Sequence, residues 1–210
     1  MSQRVVVTLL TFLFLAYCST ATAGFAVGPN LFLSMPQEDF ANVSGNGGGV
    51  GIKFLFSPPV MVGIGARADL AFVVYGSETR KGEVAGIPVD VETRNQSVQF
   101  TVGPQFQTPM GPARFYAAPM AGVYNYSTEV EIEGTDIGKT DFSTTKFGWN
   151  FTGGMLVKVY SSPLGKFDLD VDLMAKYHTI KDAVETEIDG QKETTDSNDI
   201  TLHAGVLFSF

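Results

Sequence analysis

The chain is poor in several features that mark soluble and extracellular proteins. Its 210 residues include one cysteine, which excludes a disulfide framework and a cysteine-based zinc site. Charged residues make up 17% of the chain, below the roughly 25% of an average globular domain. Basic residues are outnumbered, 14 to 22, and the net charge of -8 argues against general nucleic-acid binding. Beyond residue 24 no apolar run reaches about 18 residues, so the sequence predicts no spanning helix there.

The N-terminal segment has the layout of a secretory signal peptide. A short basic start, Met1–Arg4, precedes the apolar stretch Val5–Tyr17, and Ala21-Thr22-Ala23 forms a small-residue cleavage site. The apolar stretch is shorter than the roughly 20 residues that a helix needs to cross a bilayer. The sequence therefore predicts a signal peptide over residues 1–23 and one domain over residues 24–210.

The single cysteine lies inside this segment and allows a second interpretation. Leu15-Ala16-Tyr17-Cys18 resembles a lipoprotein box, in which Cys18 would be lipidated, and this alternative stays open. If residues 1–23 are removed instead, the mature chain has no cysteine, which suits an oxidising compartment.

The rest of the chain alternates between apolar and polar residues with a period of two, which is typical of β-strands with two unlike faces. In the clearest case, Phe167–Leu173, apolar residues alternate with aspartates. Eight segments follow the pattern: residues 25–35, 50–56, 62–75, 98–107, 115–126, 147–159, 167–178 and 200–210. For residues 115–126 the favoured outward set is Tyr116, Ala118, Met120 and Tyr124.

The connections between these segments alternate in length. Three are tight and rich in proline and glycine, at residues 57–59, 108–112 and 161–165. Four are long and polar and hold most of the acidic residues, at residues 36–48, 76–96, 127–145 and 179–198. The pattern predicts an all-β fold: an eight-stranded, antiparallel, up-and-down transmembrane β-barrel with short periplasmic turns and four long extracellular loops.

Three features favour a membrane barrel over a soluble one, which would alternate equally well. The apolar faces carry no charged residue, whereas Lys or Arg in mid-bilayer costs roughly 2–4 kcal/mol. The polar faces are rich in small residues and carry both charge signs, which suits a narrow lumen. Aromatic residues near the strand ends form the expected interfacial girdles: Phe54, Phe56, Phe72, Phe106, Tyr116, Tyr124, Trp149, Tyr177, Phe208 and Phe210.

Charged residues on the polar faces have two interpretations. The aspartates could hold a cation, but basic residues on the same faces favour a network of ion pairs, because buried charges need partners. The predicted lumenal ion-pair network consists of Lys53, Arg67, Asp69, Lys158, Asp168, Asp170, Asp172 and Lys176.

The two histidines are predicted to belong to the hydrogen-bonded lumen. His178 and His203 lie on neighbouring strands, but no third ligand at a defined spacing supports a metal site. Neither lies two residues from a serine, so a lipid A-modifying hydrolase is disfavoured. No catalytic residue, cofactor site or metal site is predicted. Calcium-loop spacing is absent from the acidic loops, and divalent-cation binding there stays open.

The last segment carries a family resemblance. Ile200–Phe210 alternates and ends in phenylalanine, and it resembles the C-terminal signature of Gram-negative outer-membrane proteins. The mature chain resembles the eight-stranded barrels of the opacity-protein and OmpA/OmpX type. The resemblance implies that Phe208 and Phe210 are recognised by the barrel-assembly machinery. It also implies an outer-membrane location and contact with lipopolysaccharide, and it suggests that the surface loops engage external partners. The leading prediction is a non-enzymatic integral outer-membrane barrel that anchors four acidic surface loops and supports the envelope, with no nucleic-acid partner because the net charge is negative. The alternatives are a narrow channel or carrier of small apolar molecules and, less favoured, the lipid A-modifying enzyme.

Overall fold

The computed structural model describes most of the chain after the N-terminal segment. The described residues are 24–42, 44–58, 63–76, 78–84, 87–108, 113–132, 140–163, 167–188 and 191–210. The predicted signal peptide, residues 1–23, lies outside them, as does Cys18. No helix within the described ranges is long and apolar enough to cross a membrane.

Nine strands and one short helix make up the described fold. The strands are β1 (Gly24–Gln37), β2 (Gly45–Ser57), β3 (Ile64–Gly76), β4 (Glu78–Val84), β5 (Ile87–Gln107), β6 (Ala113–Ile132), β7 (Thr140–Ser161), β8 (Asp168–Ile188) and β9 (Gln191–Ser209). The 3-10 helix Glu38–Asn42, here called the cap helix, follows β1.

Eight of the strands close into an antiparallel barrel. Their order around the wall is β3, β2, β1, β9, β8, β7, β6 and β5, and pairing between β3 and β5 completes the circle. β4 lies beyond the wall and pairs with β5. Because closure leaves no unpaired strand edge in the wall, the backbone groups are satisfied without water. The predicted eight-stranded up-and-down barrel is therefore confirmed.

Side chains alternate between an apolar exterior and a mostly polar interior. On β3, Ile64, Leu70 and Phe72 point outward, while Arg67 and Asp69 are buried. The single tryptophan also points outward, as predicted, with 63% of its surface exposed at Trp149. The exterior therefore has the character of a surface that contacts lipid.

The outward face assigned to residues 115–126 is wrong. Tyr116, Ala118, Met120 and Tyr124 are all buried inside the barrel, and Phe115 points outward instead. The placement of Tyr116 and Tyr124 in the aromatic girdles is therefore wrong as well. Both tyrosine hydroxyls have polar partners inside the lumen, which the lipid face would not supply.

Three of the four predicted long loops are largely strand. β5 and β6 pair as far as Val91 and Ile132, and β6 and β7 pair as far as Val130 and Thr140. With β4 they form a sheet beyond the wall, the four-stranded extension. β8 and β9 continue after an irregularity at Ile180/Val184 as a hairpin, the two-stranded extension, which comprises Val184–Ile188 and Gln191–Thr195. No described pairing joins the two extensions.

Two apolar clusters lie inside the barrel, one near each end. The hairpin-end cluster contains Phe32, Phe40, Ala71, Val73, Tyr75, Tyr124, Tyr126 and Ile180. The turn-end cluster contains Ala26, Leu55, Tyr116, Leu156, Met174 and Leu207. Between and around them lie buried polar side chains, here called the polar belt: Asn30, Lys53, Arg67, Asp69, Gln105, Asn150, Thr152, Asp170, Asp172, Lys176, His178, Thr201 and His203.

Candidate functional site

The polar belt is organised around Asp69 on β3. Its carboxylate accepts hydrogen bonds from Arg67 Nε at 2.9 Å and Arg67 Nη2 at 2.8 Å. Lys176 on β8 donates to the same carboxylate at 2.5 Å from across the lumen. One carboxylate thus serves two buried cations. The contact joins opposite sides of the wall, because β3 and β8 are four strands apart in either direction around the eight-stranded wall.

A second set of pairs lies toward the turn end. Lys53 contacts Asp172, and Tyr116 Oη donates to Asp172 at 2.7 Å. Arg114 Nη2 donates to Asp170 at 2.7 Å. Arg114 is absent from the predicted network because the wrong face was assigned to the strand that carries it.

Lys158 and Asp168 lie apart from the polar belt. They pair at 2.5 Å near the turn end, where their side chains are 39% and 31% exposed. Ser161 donates to the same carboxylate. The structure thus distributes the eight predicted residues among three buried groups and one exposed rim pair.

The two histidines belong to one chain of hydrogen bonds. Thr201 Oγ1 lies 3.3 Å from His178 Nε2 and 2.7 Å from His203 Nε2. At the far ends, His178 Nδ1 lies 3.1 Å from Tyr124 Oη, and His203 Nδ1 lies 2.9 Å from Asn30 Oδ1.

A single direction of donation satisfies this chain. Asn150 donates to Tyr124 at 3.1 Å. If Tyr124 donates to His178, His178 to Thr201, Thr201 to His203 and His203 to Asn30, every group is used once and both imidazoles are neutral. The chain links β7, β6, β8, β9 and β1. It therefore gives the histidines a complete set of partners without a metal ion.

The cap helix closes the hairpin end of the barrel. Its Phe40 is fully buried and packs edge-on against Tyr75 at 5.3 Å and near Tyr126 at 6.3 Å. Asn198 donates to Glu38 at 2.6 Å and ties the cap helix to β9. Side chains therefore occupy the lumen at its mouth as well as in the polar belt.

Asp199 is a buried mouth residue that the sequence reasoning missed. Its Oδ2 accepts a hydrogen bond from Ser34 at 2.8 Å, and its side chain is fully buried. The signal was available, because Asp199 is two residues before the inward-facing Thr201. The predicted loop ends at residue 198 and the predicted strand begins at Ile200, so Asp199 falls in neither.

No described contact resembles a catalytic or metal centre. Within the described residues, no group of three or more His, Cys, Asp or Glu side chains is placed to hold a metal ion. The hydroxyl beside the histidines is Thr201, which is 1% exposed and faces the lumen, away from any lipid substrate. The histidine chain is thus buried inside the wall, on its lumenal side.

The C-terminal residue lies at the seam between the first and last strands. Phe210 N donates to Phe25 O at 2.8 Å, and Phe25 N donates to Phe210 O at 3.4 Å. The ring of Phe210 is 65% exposed and that of Phe208 is 37% exposed. The backbone of Phe210 therefore closes the wall, while its ring projects outward.

These features define a class: a closed, membrane-spanning β-barrel with an apolar exterior and a lumen filled by its own side chains. The family model for the outer membrane protein beta-barrel domain matches residues 5–210. The chain belongs to that family.

Solved structures show the same fold at low sequence identity. Ail, the attachment invasion locus protein of Yersinia pestis in complex with the heparin analogue sucrose octasulfate, is 14% identical, with a TM-score of 0.52 over 90% of this chain and 99% of that chain. Neisserial surface protein A is 15% identical, with a TM-score of 0.50 over 89% of this chain and 97% of that chain. No curated protein sequence matches the chain.

Proposed function

We propose that the protein is a non-enzymatic outer-membrane anchor that presents its two extensions to partners outside the cell. In barrels of this type the short turns face the periplasm and the longer connections face outward. The hairpin end would then be extracellular, and the acidic extensions would project beyond the lipopolysaccharide-bearing surface.

The observation that carries this proposal is the contrast between the lumen and the extensions. The lumen is occupied by two apolar clusters and by paired charges. This filling disfavours the narrow channel and the carrier of small apolar molecules. The wall, in contrast, continues as strand well past its last closed pairing at the hairpin end.

The extensions offer strand edges to a partner. β7 and β8 pair only as far as Gly148 and Ile180, so beyond that point each has a neighbour on one side in the described pairing. Unpaired edges bind extended peptides by adding a strand, with main-chain hydrogen bonds supplying affinity. The partner class that fits is therefore a protein with an extended segment.

The negative charge of the extensions indicates which kind of partner surface they would bind. Most of the 22 acidic residues fall in the connections that form the extensions and the cap helix. Complementary charge steers association, so the partner should present a basic surface. The sucrose octasulfate bound to Ail is polyanionic, and the acidic extensions of this chain would repel such a ligand.

Trimming the two-stranded extension tests the proposal. Replacing Val184–Thr195 by Asn-Gly shortens the hairpin and leaves the closed wall intact. Glu185→Gln/Glu187→Gln is the matched charge control that keeps the strands. With barrels in nanodiscs over immobilised basic peptides, we expect binding that weakens with salt, falls in the charge variant and falls further on trimming, while the four-stranded extension accounts for the binding that remains. Full binding by the trimmed barrel, or no binding by the intact one, contradicts the proposal.

We further propose that residues 1–23 are removed during export. N-terminal sequencing of the protein from outer membranes should then begin at Gly24. A blocked N-terminus at a lipid-modified Cys18 would contradict cleavage at residue 23 and support the lipoprotein alternative.

A further inference from the structure

A trough of about 580 Å³ crosses the outer wall of the barrel. Four adjacent strands each contribute three consecutive residues to it, and a fifth contributes one. These are Ala204–Val206 of β9, Pro29–Leu31 of β1, Val50–Ile52 of β2, Leu70–Phe72 of β3, and Val98 of β5. In each triplet the outer two residues point toward lipid, and the middle residue points inward and forms the floor.

The strand register makes this trough continuous. Leu31 is paired with both Ala204 and Val50, and Val50 is paired with Phe72, so their side chains form one row across the wall. Pro29, Ile52 and Leu70 form a second row beside it. Five strands spaced about 4.8 Å apart give the trough a length of about 19 Å. Since wall strands tilt by about 35–45°, the trough runs at roughly 45–55° to the barrel axis.

Short side chains keep the space between the rows open. Ala204 and Pro29 are small members of the two rows, and Gly51 and Gly205 lie in the floor. Larger side chains form the sides of the trough, among them that of Leu31, which is 67% exposed. The lining includes no charged residue.

The trough lies toward the hairpin end on most of its strands. On β3 it is lined by Leu70 and Phe72, near the end of an outward set that starts at Ile64. On β5 it ends at Val98, beyond which the outward residues are the polar Gln96 and Arg94. With the short turns in the periplasm, this position corresponds mainly to the outer leaflet.

We propose that the trough binds one acyl chain of lipid A, the lipid of the outer leaflet. One leaflet of the hydrocarbon core is about 15 Å thick, so an inclined chain is comparable in length to the trough. The chain would contact both rows of side chains at once, and such dispersion contacts add up over its length. This binding site is separate from the extensions and from any partner they bind.

Filling the trough tests the proposal. Ala204→Phe places a ring in one row, facing lipid. Ala66→Phe is the matched control, because Ala66 also faces outward on β3 but lies outside the trough. Both variants, and the unchanged barrel, are extracted from outer membranes in mild detergent. The retained lipid is then counted and identified by native mass spectrometry.

We expect the unchanged barrel and Ala66→Phe to retain one lipid A molecule. We expect Ala204→Phe to retain several-fold less, because the ring occupies the space in which the chain would make its dispersion contacts. Retention of phospholipid alone, no retained lipid, or equal retention by the two variants overturns the proposal. Heat-modifiable migration on a gel establishes that all three barrels are folded.

Discussion

At the scale of single residues, the polar belt depends on one carboxylate that serves two cations. Asp69 is buried and contacts both Arg67 and Lys176. Asp69→Ala leaves two buried cations without this partner, so we expect the free energy of unfolding to fall by about 3–5 kcal/mol. Urea unfolding of the barrel in liposomes measures the change.

The exposed rim pair supplies the control for this prediction. Asp168 pairs with Lys158 where both side chains are partly exposed. Exposed ion pairs contribute about 0–1 kcal/mol, so Asp168→Ala should change stability by less than about 1 kcal/mol. Equal losses in the two variants would show that burial of the pair is irrelevant to its contribution.

Two adjacent glycines should differ in how strongly the same substitution destabilises the barrel. A Cβ on Gly154 would lie 2.5 Å from Tyr116 Cζ and Oη, whereas a Cβ on Gly153 meets nothing within 4 Å. Gly154→Ala displaces the ring that donates to Asp172, and we expect a loss of about 1–3 kcal/mol. Gly153→Ala should stay within about 0.5 kcal/mol of the unchanged barrel. Thermal unfolding in detergent compares them, and equal effects would contradict the close approach of Tyr116.

Tyr116 shows where the alternation of apolar and polar residues no longer predicts which face of a strand is buried. In β6, Phe115, Ala117 and Pro119 alternate with Tyr116, Ala118 and Met120, and both sets are apolar. The period of two then predicts a strand, but it does not predict which of the two apolar faces contacts lipid. The decision comes from partners on other strands, because Asp172 and His178 accept or share the tyrosine hydroxyls. The sequence alone does not predict these partners, because they depend on how the strands are aligned in the closed barrel.

At the scale of elements, the cap helix is held mainly by one buried ring. Phe40 packs against Tyr75 and Tyr126, and no wall pairing depends on it. Phe40→Ala should therefore release the cap helix while the wall stays closed. A Phe→Ala change in a core costs about 3–5 kcal/mol, so exchange of the amides in Glu38–Asn42 should accelerate by roughly a hundredfold to a few thousandfold.

Hydrogen exchange with a matched variant checks this prediction. Phe25→Ala removes an exposed aromatic ring at the turn end of β1 and should leave exchange in the cap helix unchanged. If Phe40→Ala also leaves it unchanged, the cap helix is held by something other than Phe40, such as the Glu38–Asn198 bond.

The extensions show which elements the sequence could and could not predict. Strands in the wall separate lipid from lumen, so their two faces differ and the period of two is plain. Beyond the wall no boundary between lipid and lumen divides the two faces, and the sequence of segments such as Glu78–Val84 lacks the apolar–polar contrast that marks a strand. Backbone pairing continues there without a hydrophobic pattern. The pattern therefore predicts loops at residues 76–96, 127–145 and 179–198, although most of their described residues are strand.

At the scale of the whole molecule, two apolar clusters, one near each end of the lumen, should prevent the barrel from conducting ions. The hairpin-end cluster and the turn-end cluster lie in series. We expect no steady conductance from the barrel in planar bilayers. Phe40→Ala should also stay closed, because Leu55, Leu156 and Leu207 still fill the turn end. A steady current from the unchanged barrel would support the narrow-channel alternative, and a current only in Phe40→Ala would place the whole barrier at the cap helix.

The seam between β1 and β9 separates two roles of the C-terminal residue. The backbone of Phe210 bonds to Phe25, whereas its exposed ring is free to meet the assembly machinery that the terminal pattern implies. Phe210→Ala keeps the backbone bonds and removes the ring. We expect spontaneous folding into detergent at an unchanged rate, but several-fold slower assembly into liposomes that contain the machinery. Phe115→Ala, which removes another outward ring without touching the C-terminus, should slow neither process. Equal slowing of both processes by Phe210→Ala would instead place the role of the ring in the barrel itself.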